Sequence, residues 1–541
     1  MPYEGEEDFL KKSIDRAMHR KTLREPIVRR REELSELMRP LRDDWAEQVR
    51  EGRARGVRRY DGTAILALDQ AGSQTYSMLT ATDNIWAPLE FEEEWRQEDP
   101  DARGWLTEVN RITFASFDPS RDNFYNDAVE VILDSIGLGD GVFYSARPPG
   151  ADFFHSKAIP WREVSFDIGM FGDVTHLDRW YQEPLWSVAE EFGEDVLPPR
   201  HRVNLEKTPN QKVELLHTCV PNEGKSNRIS SAHRVASLYI LMDGRAPLRF
   251  HGYREMPYYV SRWGVPSGET YGMGRGIMAL PDAQVLNEME RTSLTAAQRI
   301  AQPPLAASDE LAGLVSLDMD YVNYGAIDDR GNQLVQAIQT GGNPAITLEM
   351  MEQKRAAIRD VFYHAMLSIA GSPTPSTIEV LEQAERRDQS MGPNLARIIN
   401  EFLAPFVEGR FRELARAGRF PPPPETAAGA KIKVRFVSPL ARAHRAQAAQ
   451  ATMAYVQGVK EIAEIDPSAR HSVHGLRAAR RLHDGLSAPE DIQKTADEIE
   501  AAMQQETEAA SAERELEVAE RGGRAAAAAG QAVQVLGQNQ Q

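Results

Sequence analysis

The spacing of apolar and polar residues changes several times along the 541-residue chain, and the changes divide it. Up to Tyr60, Leu10, Ile14, Met18, Leu34, Leu37 and Leu41 recur sparsely among charges, which predicts helix with an exposed charged face. From Thr63 to Leu79, small and apolar residues form a run long enough for a largely buried helix. Acidic helical material is expected around Phe91 to Trp95. Between Ala128 and His251 the apolar runs shorten and are broken by Gly, Pro and Asp. Val129 to Leu133, Val164 to Ile168, Val213 to His217 and Val235 to Leu241 read as strands of a mixed α/β region.

Two helices then flank an irregular insert. The first is predicted from about Pro281 to Ala301, with Pro281 and Asp282 in its first turn and Pro303-Pro304 stopping it. The second is predicted from about Thr347 to Ile369, where Leu348, Met351, Ile358, Phe362, Ala365 and Ile369 recur near helical spacing. At ~1.5 Å per residue each is roughly 30 Å long, a length that suits a pair of pillars. The insert, Pro303 to Ala345, carries Leu314-Val315, Tyr321-Val322 and Leu334-Val335. The turn signal Asp328-Asp329-Arg330-Gly331-Asn332 separates the last two, so a small β-containing unit is expected.

Pro373 and Pro375 make Ala370 to Ser376 a loop. Ser376 and Glu379 fit a capping box that opens a long helix to about Ala417, and Gly392-Pro393 inside it predicts a kink near Met391. Ile432, Val434 and Phe436 alternate as one strand, and Ala441 to Ala463 returns to helix. From Pro489 the chain is rich in Ala, Glu and Gln. Gly522-Gly523 interrupts it, and the last residues are low in complexity and fray unless neighbouring subunits hold them.

Length alone implies about three or four domains or substructures. With 41% hydrophobic and 27% charged residues the composition is globular, which excludes wholesale disorder. A net charge of −18 argues against a conventional nucleic-acid binder, whose affinity comes from neutralising phosphates. The single cysteine, Cys219, excludes an intramolecular disulfide and a multi-thiolate metal site, and fits a reducing cytoplasm. The charged first residues lack a signal-peptide apolar run, and no stretch approaches the ~20 apolar residues of a membrane span.

Candidate chemistry is sparse. Gly224-Lys225-Ser226 ends like a phosphate-binding loop, but Cys219 occupies the required upstream glycine position, so a surface turn is expected. Gly272-Met273-Gly274-Arg275-Gly276 lacks dinucleotide-binding spacing and reads as a chain reversal into the first pillar. His471, His474 and His483 lack an HExxH or Cys context and read as solvent-exposed. Asp318 and Asp320 read as solvated carboxylates and not a divalent site. Arg291 is expected to pair with Glu288 one turn earlier, and neither it nor Arg299 is assigned to DNA. No enzyme activity, cofactor or metal is expected.

Several motifs occur in fixed order: Gly268 to Gly272 (Gly-Glu-Thr-Tyr-Gly), Ala279 to Asp282, Leu286 to Met289, Ala296 to Gln298 and Pro303 to Leu305. On these the chain resembles the head-to-tail connecting proteins, the portal proteins, of short-tailed bacteriophages. The similarity extends through Gly62, Thr63, Ala67, Leu68 and Ser77 to Leu79. Downstream it continues through Thr340 to Asn343, Thr377 to Glu382, Pro421 to Glu425 and Val437 to Ala443.

The resemblance implies an α+β, mainly helical portal-type fold. Its parts would be N-terminal helices and an α/β wing over 1–278, a first stem helix over 279–302, a clip over 303–345 and a second stem helix over 346–369. A tunnel loop over 370–376, a kinked helix and return strand over 377–439, and a helical crown or barrel over 440–541 would follow. It further implies a dodecameric ring through which double-stranded DNA enters the procapsid and leaves through the tail, assembled in the host cytoplasm and resident at one virion vertex. Partners would be the terminase large subunit, the major capsid and scaffolding proteins, and tail adaptor or tail tube proteins, with no membrane. Gly371, Ser372, Pro373, Thr374 and Pro375 would form the tunnel loop, and Asp318, Asp320, Asp328, Asp329 and Arg330 would face partners from the clip. In such a ring the acidity becomes useful, because like charge lets a duplex slide without sticking. A tail adaptor or minor capsid component, and less readily a DNA-processing enzyme, are the alternative readings.

Overall fold

The computed structural model describes residues 4–486, apart from 41–58, 81–84, 365–389 and the short stretches 94, 97–98, 149–152, 225–227, 308, 312, 314, 317–321, 329, 339–343, 437–438, 467 and 469–471, together with residue 505. The chain mixes helices with small antiparallel sheets, an α+β fold. It forms two compact units. One comprises residues 1–89, 109–420 and 433–440, the other residues 90–108, 421–432 and 441–541.

In the first unit, helices α1 (Glu4–Met38) and α3 (Phe124–Leu138) pack on two sheets, and α2 (Thr63–Leu79) packs on α3. Strands β1 (Asp140–Ala146) and β2 (His155–Ile159) pair with each other, and β8 (Tyr258–Arg262) pairs with the opposite edge of β1. The strands β3 (Val164–Ile168), β4 (Val174–Pro184), β5 (Lys212–Pro221), β6 (Val235–Leu241) and β7 (Ala246–Tyr253) follow one another as an antiparallel meander. Alternation along β5 serves two layers. Leu216 and Val220 pack with Phe9, Ile14 and Ala17 of α1, while Cys219 joins Val142, Ile159 and Val260 of the smaller sheet.

Helix α2 matches its expected span, and β3, β5 and β6 cover three of the four runs read as strands. The fourth is a correction. Val129 to Leu133 lies inside α3, where every residue from Val131 to Leu138 is buried. A helix covered on all sides shows the same unbroken apolar run as a buried strand, so periodicity cannot separate them. Gly72 of α2 allows the close fit, since a Cβ there would lie 2.2 Å from Leu133 Cδ2. Around Phe91 to Trp95 the expected helix is only partly met: Phe91 ends the strand Leu89–Phe91, bends follow at Glu92 and Glu93, and Trp95 and Arg96 are helical.

The exposed charged face of α1 is present, with Asp8, Lys11, Lys12, Asp15, Arg16, Arg29 and Arg30 in solvent, but Arg20, Arg24 and Arg31 depart from it and are buried on the other side, and Arg39 follows just past the helix. Arg20 makes a forked pair with Asp178, at 2.6 and 2.9 Å. Arg24 donates to the carbonyls of Trp161 and Val164. Arg31 bonds Asp140, and Arg39 reaches Glu130 and Asp134 at 2.8 and 2.9 Å. Guanidinium groups met by carboxylates and carbonyls can be buried where a bare charge could not.

In the second unit, Arg96 donates to the Thr426 carbonyl at 2.5 Å and Trp105 Nε1 to the Pro421 carbonyl at 2.9 Å. The helices Pro439–Ile465 and Gly475–Leu486 complete its described part, and the first agrees with the helix expected from Ala441. The low-complexity tail lies outside the described residues.

Candidate functional site

The segment from Gly268 to Val361 holds the two pillars. The Gly-rich run ahead of them works by close approach: a Cβ on Gly272 would sit 2.4 Å from the Gly139 carbonyl oxygen, and one on Gly276 2.4 Å from that of Gly137. Arg275 N–H donates to the Ile136 carbonyl at 2.7 Å, so the run lies directly on the end of α3. Asp140 stitches it further, accepting the Gly272 N–H at 2.7 Å, Arg31 Nη2 at 2.8 Å and Trp161 Nε1 at 3.2 Å. Tyr271 meets Phe166 at a ring distance of 4.5 Å.

That docking nucleates helix α4 (Gly276–Ala301) earlier than expected, so Pro281 falls inside the helix and not in its first turn. Its missing N–H removes the helical donor to the Ile277 carbonyl, while the first turn is closed by the Met278 and Ala279 N–H groups on the Arg275 carbonyl. Helix α5 (Pro344–Val361) starts with proline at its first position and packs along α4. Lys354 pairs with Asp282 at 2.7 Å, and Arg355 bridges Asp61, at 3.1 Å, to Glu290. Arg291 pairs with Glu288, as its spacing predicts.

Beyond Leu286, α4 loses its cover. Every residue from Arg291 to Ala301 except Ser293 is exposed, including Leu294 and Ile300. On α5, Leu348 is also exposed while Met351 and Ile358 are buried. After Val361 the chain turns at Phe362 and Tyr363 and is helical again at His364; residues 365–369 lie outside the described residues.

Between the pillars, β9 (Leu305–Ala307) pairs antiparallel with β10 (Val335–Ala337), Leu305 opposite Ala337. The second strand overlaps the expected Leu334-Val335 run. The first had no sequence signal beyond Leu305 following two prolines. The expected turn is present: Asp328 Oδ1 accepts the N–H groups of Arg330 at 2.9 Å and Asn332 at 2.7 Å, and Ile327 bridges Gln333. The Asn332 side chain and these N–H groups hold the Asp328 carboxyl below the ordinary carboxylate range. Arg330 is exposed at the same turn. Asp318, Asp320 and Asp329 lie outside the described residues, as do Gly371, Ser372, Pro373, Thr374 and Pro375.

The helix that follows is described from residue 390, so the interval around the expected kink at Met391 is only partly in view. What it contains is a π-helical turn, Ile399–Leu403, running into helix α6 (Ala404–Arg416) with Pro405 just beyond. A wider turn relieves the clash that a mid-helix proline imposes. The turn exposes Glu401 to Arg262, whose Nη2 and Nε lie 2.8 and 2.9 Å from the carboxylate. Phe402 and Phe406 enter an aromatic cluster with Phe143 and Phe124, the Phe124–Phe406 rings stacking at 4.7 Å. Arg410, buried, pairs with Asp122 and lies 3.6 Å over Phe154.

Elsewhere, Gly224 turns with φ +70° and bonds Asn222, and His474 is exposed just before a helix. Among the described residues, no three His, Cys, Asp or Glu side chains group as metal ligands, and no helix is long and apolar enough to cross a membrane.

Comparison with known proteins identifies the family. Residues 10–493 match the family model described as bacteriophage head to tail connecting protein. The "Probable portal protein" of Bordetella phage BPP-1 is 24% identical over 511 residues, covering 90% of this chain and 90% of that protein. The "Portal protein" of Salmonella phage epsilon15 is 23% identical over 426 residues, 77% of this chain and 76% of its own. A solved structure titled "Virion of native gene transfer agent (GTA) particle" aligns with 74% of this chain and 90% of its own, at 13% identity and a TM-score of 0.30. With the family model spanning nearly the whole sequence and both relatives matched over three quarters or more of their length, the chain belongs to the bacteriophage head-to-tail connecting proteins, the phage portals.

Proposed function

We propose that copies of this chain assemble as a dodecameric ring whose central channel passes double-stranded DNA into the procapsid and out through the tail. Helices α4 and α5 form the stem. The β9–β10 pair with the Asp328 to Asn332 turn forms the clip, which meets the terminase large subunit and later the tail adaptor and tail tube proteins. The two sheets and their helices form the wing, and the helices from Pro439 onward form the crown. Residues 371–375 serve as the tunnel loop ahead of the π-turned helix. Major capsid and scaffolding proteins surround the ring at one virion vertex, and assembly takes place in the host cytoplasm. ATP hydrolysis belongs to the terminase.

The observation that carries this reading is the bare half of α4. A helix exposed on all sides from Arg291 to Ala301, with Leu294 50% and Ile300 68% exposed, is not stable alone in water. Side-by-side stems supply the missing cover, for Leu348 of α5 as well, which is also exposed. Electron microscopy of the purified full-length chain, classified by rotational symmetry, tests it. A ring with a hole wide enough for a duplex is expected; a monomer or compact dimer across a range of salt would overturn the reading.

A further inference from the structure

The hairpin joining β3 to β4 ends in Gly169-Met170-Phe171-Gly172, and both large side chains stand in solvent, Met170 95% and Phe171 94% exposed. The tip is well held. Gly169 N–H donates to the Asp173 carbonyl at 2.7 Å and Gly172 N–H to that of Gly169 at 3.0 Å. Arg262, itself fixed by Glu401, donates from Nη2 to the Gly172 carbonyl at 2.9 Å. A loop closed and anchored in this way does not fold back to bury its apolar pair. Met170 and Phe171 are therefore a fixed projection, flanked by exposed Asp167 and Asp173.

At the far end of β4 an open cavity of about 750 Å³ is walled by Phe153, Tyr181, Phe192 and Tyr239, with Arg147 and Lys157 also in its lining. Aromatic walls suit a thioether and a phenyl ring, and the lining cations Arg147, Lys157, Arg179 and Arg249 outnumber the lining carboxylates Glu183 and Glu191, which favours the two aspartates. Phe171 and Tyr181 are ten residues apart along extended chain, about 33 Å, so the projection cannot enter its own cavity. A projection and a matching cavity at opposite ends of one sheet define a head-to-tail contact, the kind that closes rings. We propose that Met170 and Phe171 of each copy seat in the aromatic cavity of the next copy around the ring. This rests on the ring reading above and assigns one of the contacts that close it.

Cysteine pairs in the full-length chain test the contact, because Cys219, the one natural cysteine, is buried. F171C combined with S187C on the cavity lining, treated with a short bismaleimide, is expected to give a covalent ladder beyond dimer; neither single variant should exceed dimer. M170D/F171D is expected to lower the yield of rings about tenfold or more while leaving the far-ultraviolet circular dichroism of the subunit unchanged. Rings from the double aspartate variant at wild-type yield, or wild-type-like rings of the cysteine pair without a ladder, would overturn the contact. A wild-type chain that forms no ring would instead sink the ring reading, and this contact with it.

Discussion

Arg31 of the N-terminal helix donates from Nη2 to Asp140 Oδ2 at 2.8 Å, with both side chains buried and the guanidinium 3.9 Å over the Trp161 ring. The same nitrogen reaches the Gly272 carbonyl at 2.6 Å, and Asp140 accepts the Gly272 N–H. One ion pair thus ties the first helix, the start of the smaller sheet and the segment leading into α4. Burial pushes the Asp140 carboxyl above its ordinary range, with Arg31 opposing that shift.

Replacing Arg31 by Met leaves a buried carboxylate with no cation. A loss of roughly 3–5 kcal/mol is expected, read as a lower urea midpoint of the subunit. Adding Asp140→Asn should recover part of that loss, because the second change removes the uncompensated charge. An R31M midpoint equal to wild type would show the pair to be dispensable.

His217 lies between the two sheets, its ring 3.8 Å from Tyr239, with Nδ1 2.6 Å from Tyr258 Oη and Nε2 2.8 Å from Ser237 Oγ. Burial holds its pKa well below the ordinary value. In the unfolded chain the imidazole takes a proton near pH ~6.5, whereas the folded chain keeps it neutral, so the unfolded state binds more protons. Stability should therefore fall as pH drops below about 6.5, by about 1.4 kcal/mol per pH unit from this group until its depressed folded-state pKa is reached. Urea midpoints between pH 7.5 and 5 measure the slope, and His217→Gln should flatten it.

Cys219 is fully buried against both sheets, and burial pushes its thiol pKa up, away from the reactive thiolate. Native protein should resist maleimide labelling for hours, while urea-unfolded protein labels within minutes; intact-mass spectrometry follows both. Fast labelling of the native chain would mean that the two sheets part on that timescale.

Gly272→Ala places a methyl 2.4 Å from the Gly139 carbonyl oxygen, which is held by the Trp263 N–H at 2.8 Å. A loss of about 2 kcal/mol or more is expected. Gly104→Ala, on a helix with nothing within 4 Å of the new Cβ, should be neutral or stabilise by up to about 1 kcal/mol. Thermal unfolding of the two variants side by side separates them, and equal midpoints would contradict the packing.

Much of this fold is legible in the sequence where one period dominates. The Thr63 to Leu79 helix, the Val235 to Leu241 strand and the Asp328 turn each carry a local signal that tertiary packing leaves intact. The failures share a cause. Val129 to Leu133 is apolar because α3 is enclosed, and Arg20, Arg24 and Arg31 look like a solvated face because sequence cannot show Asp178, Asp140 and the carbonyls that meet them from distant strands. The early start of α4 likewise depends on Arg275 finding the Ile136 carbonyl, a contact across more than a hundred residues. For the candidate site, the pillars and their insert follow from proline and helical spacing, whereas the Met170–Phe171 projection reads locally as an ordinary apolar turn. Only its exposure marks it out.

The strands β9 and β10 leave and re-enter the pillars side by side, with Leu305 registered against Ala337. Any segment spanning those two positions starts and finishes at the same place, whatever its length or sequence. The loop-closure term that such a change adds grows only logarithmically with residues inserted. Replacement of the stretch between them therefore need not disturb the helices beneath, so the insert is free to vary while the pillars keep their geometry.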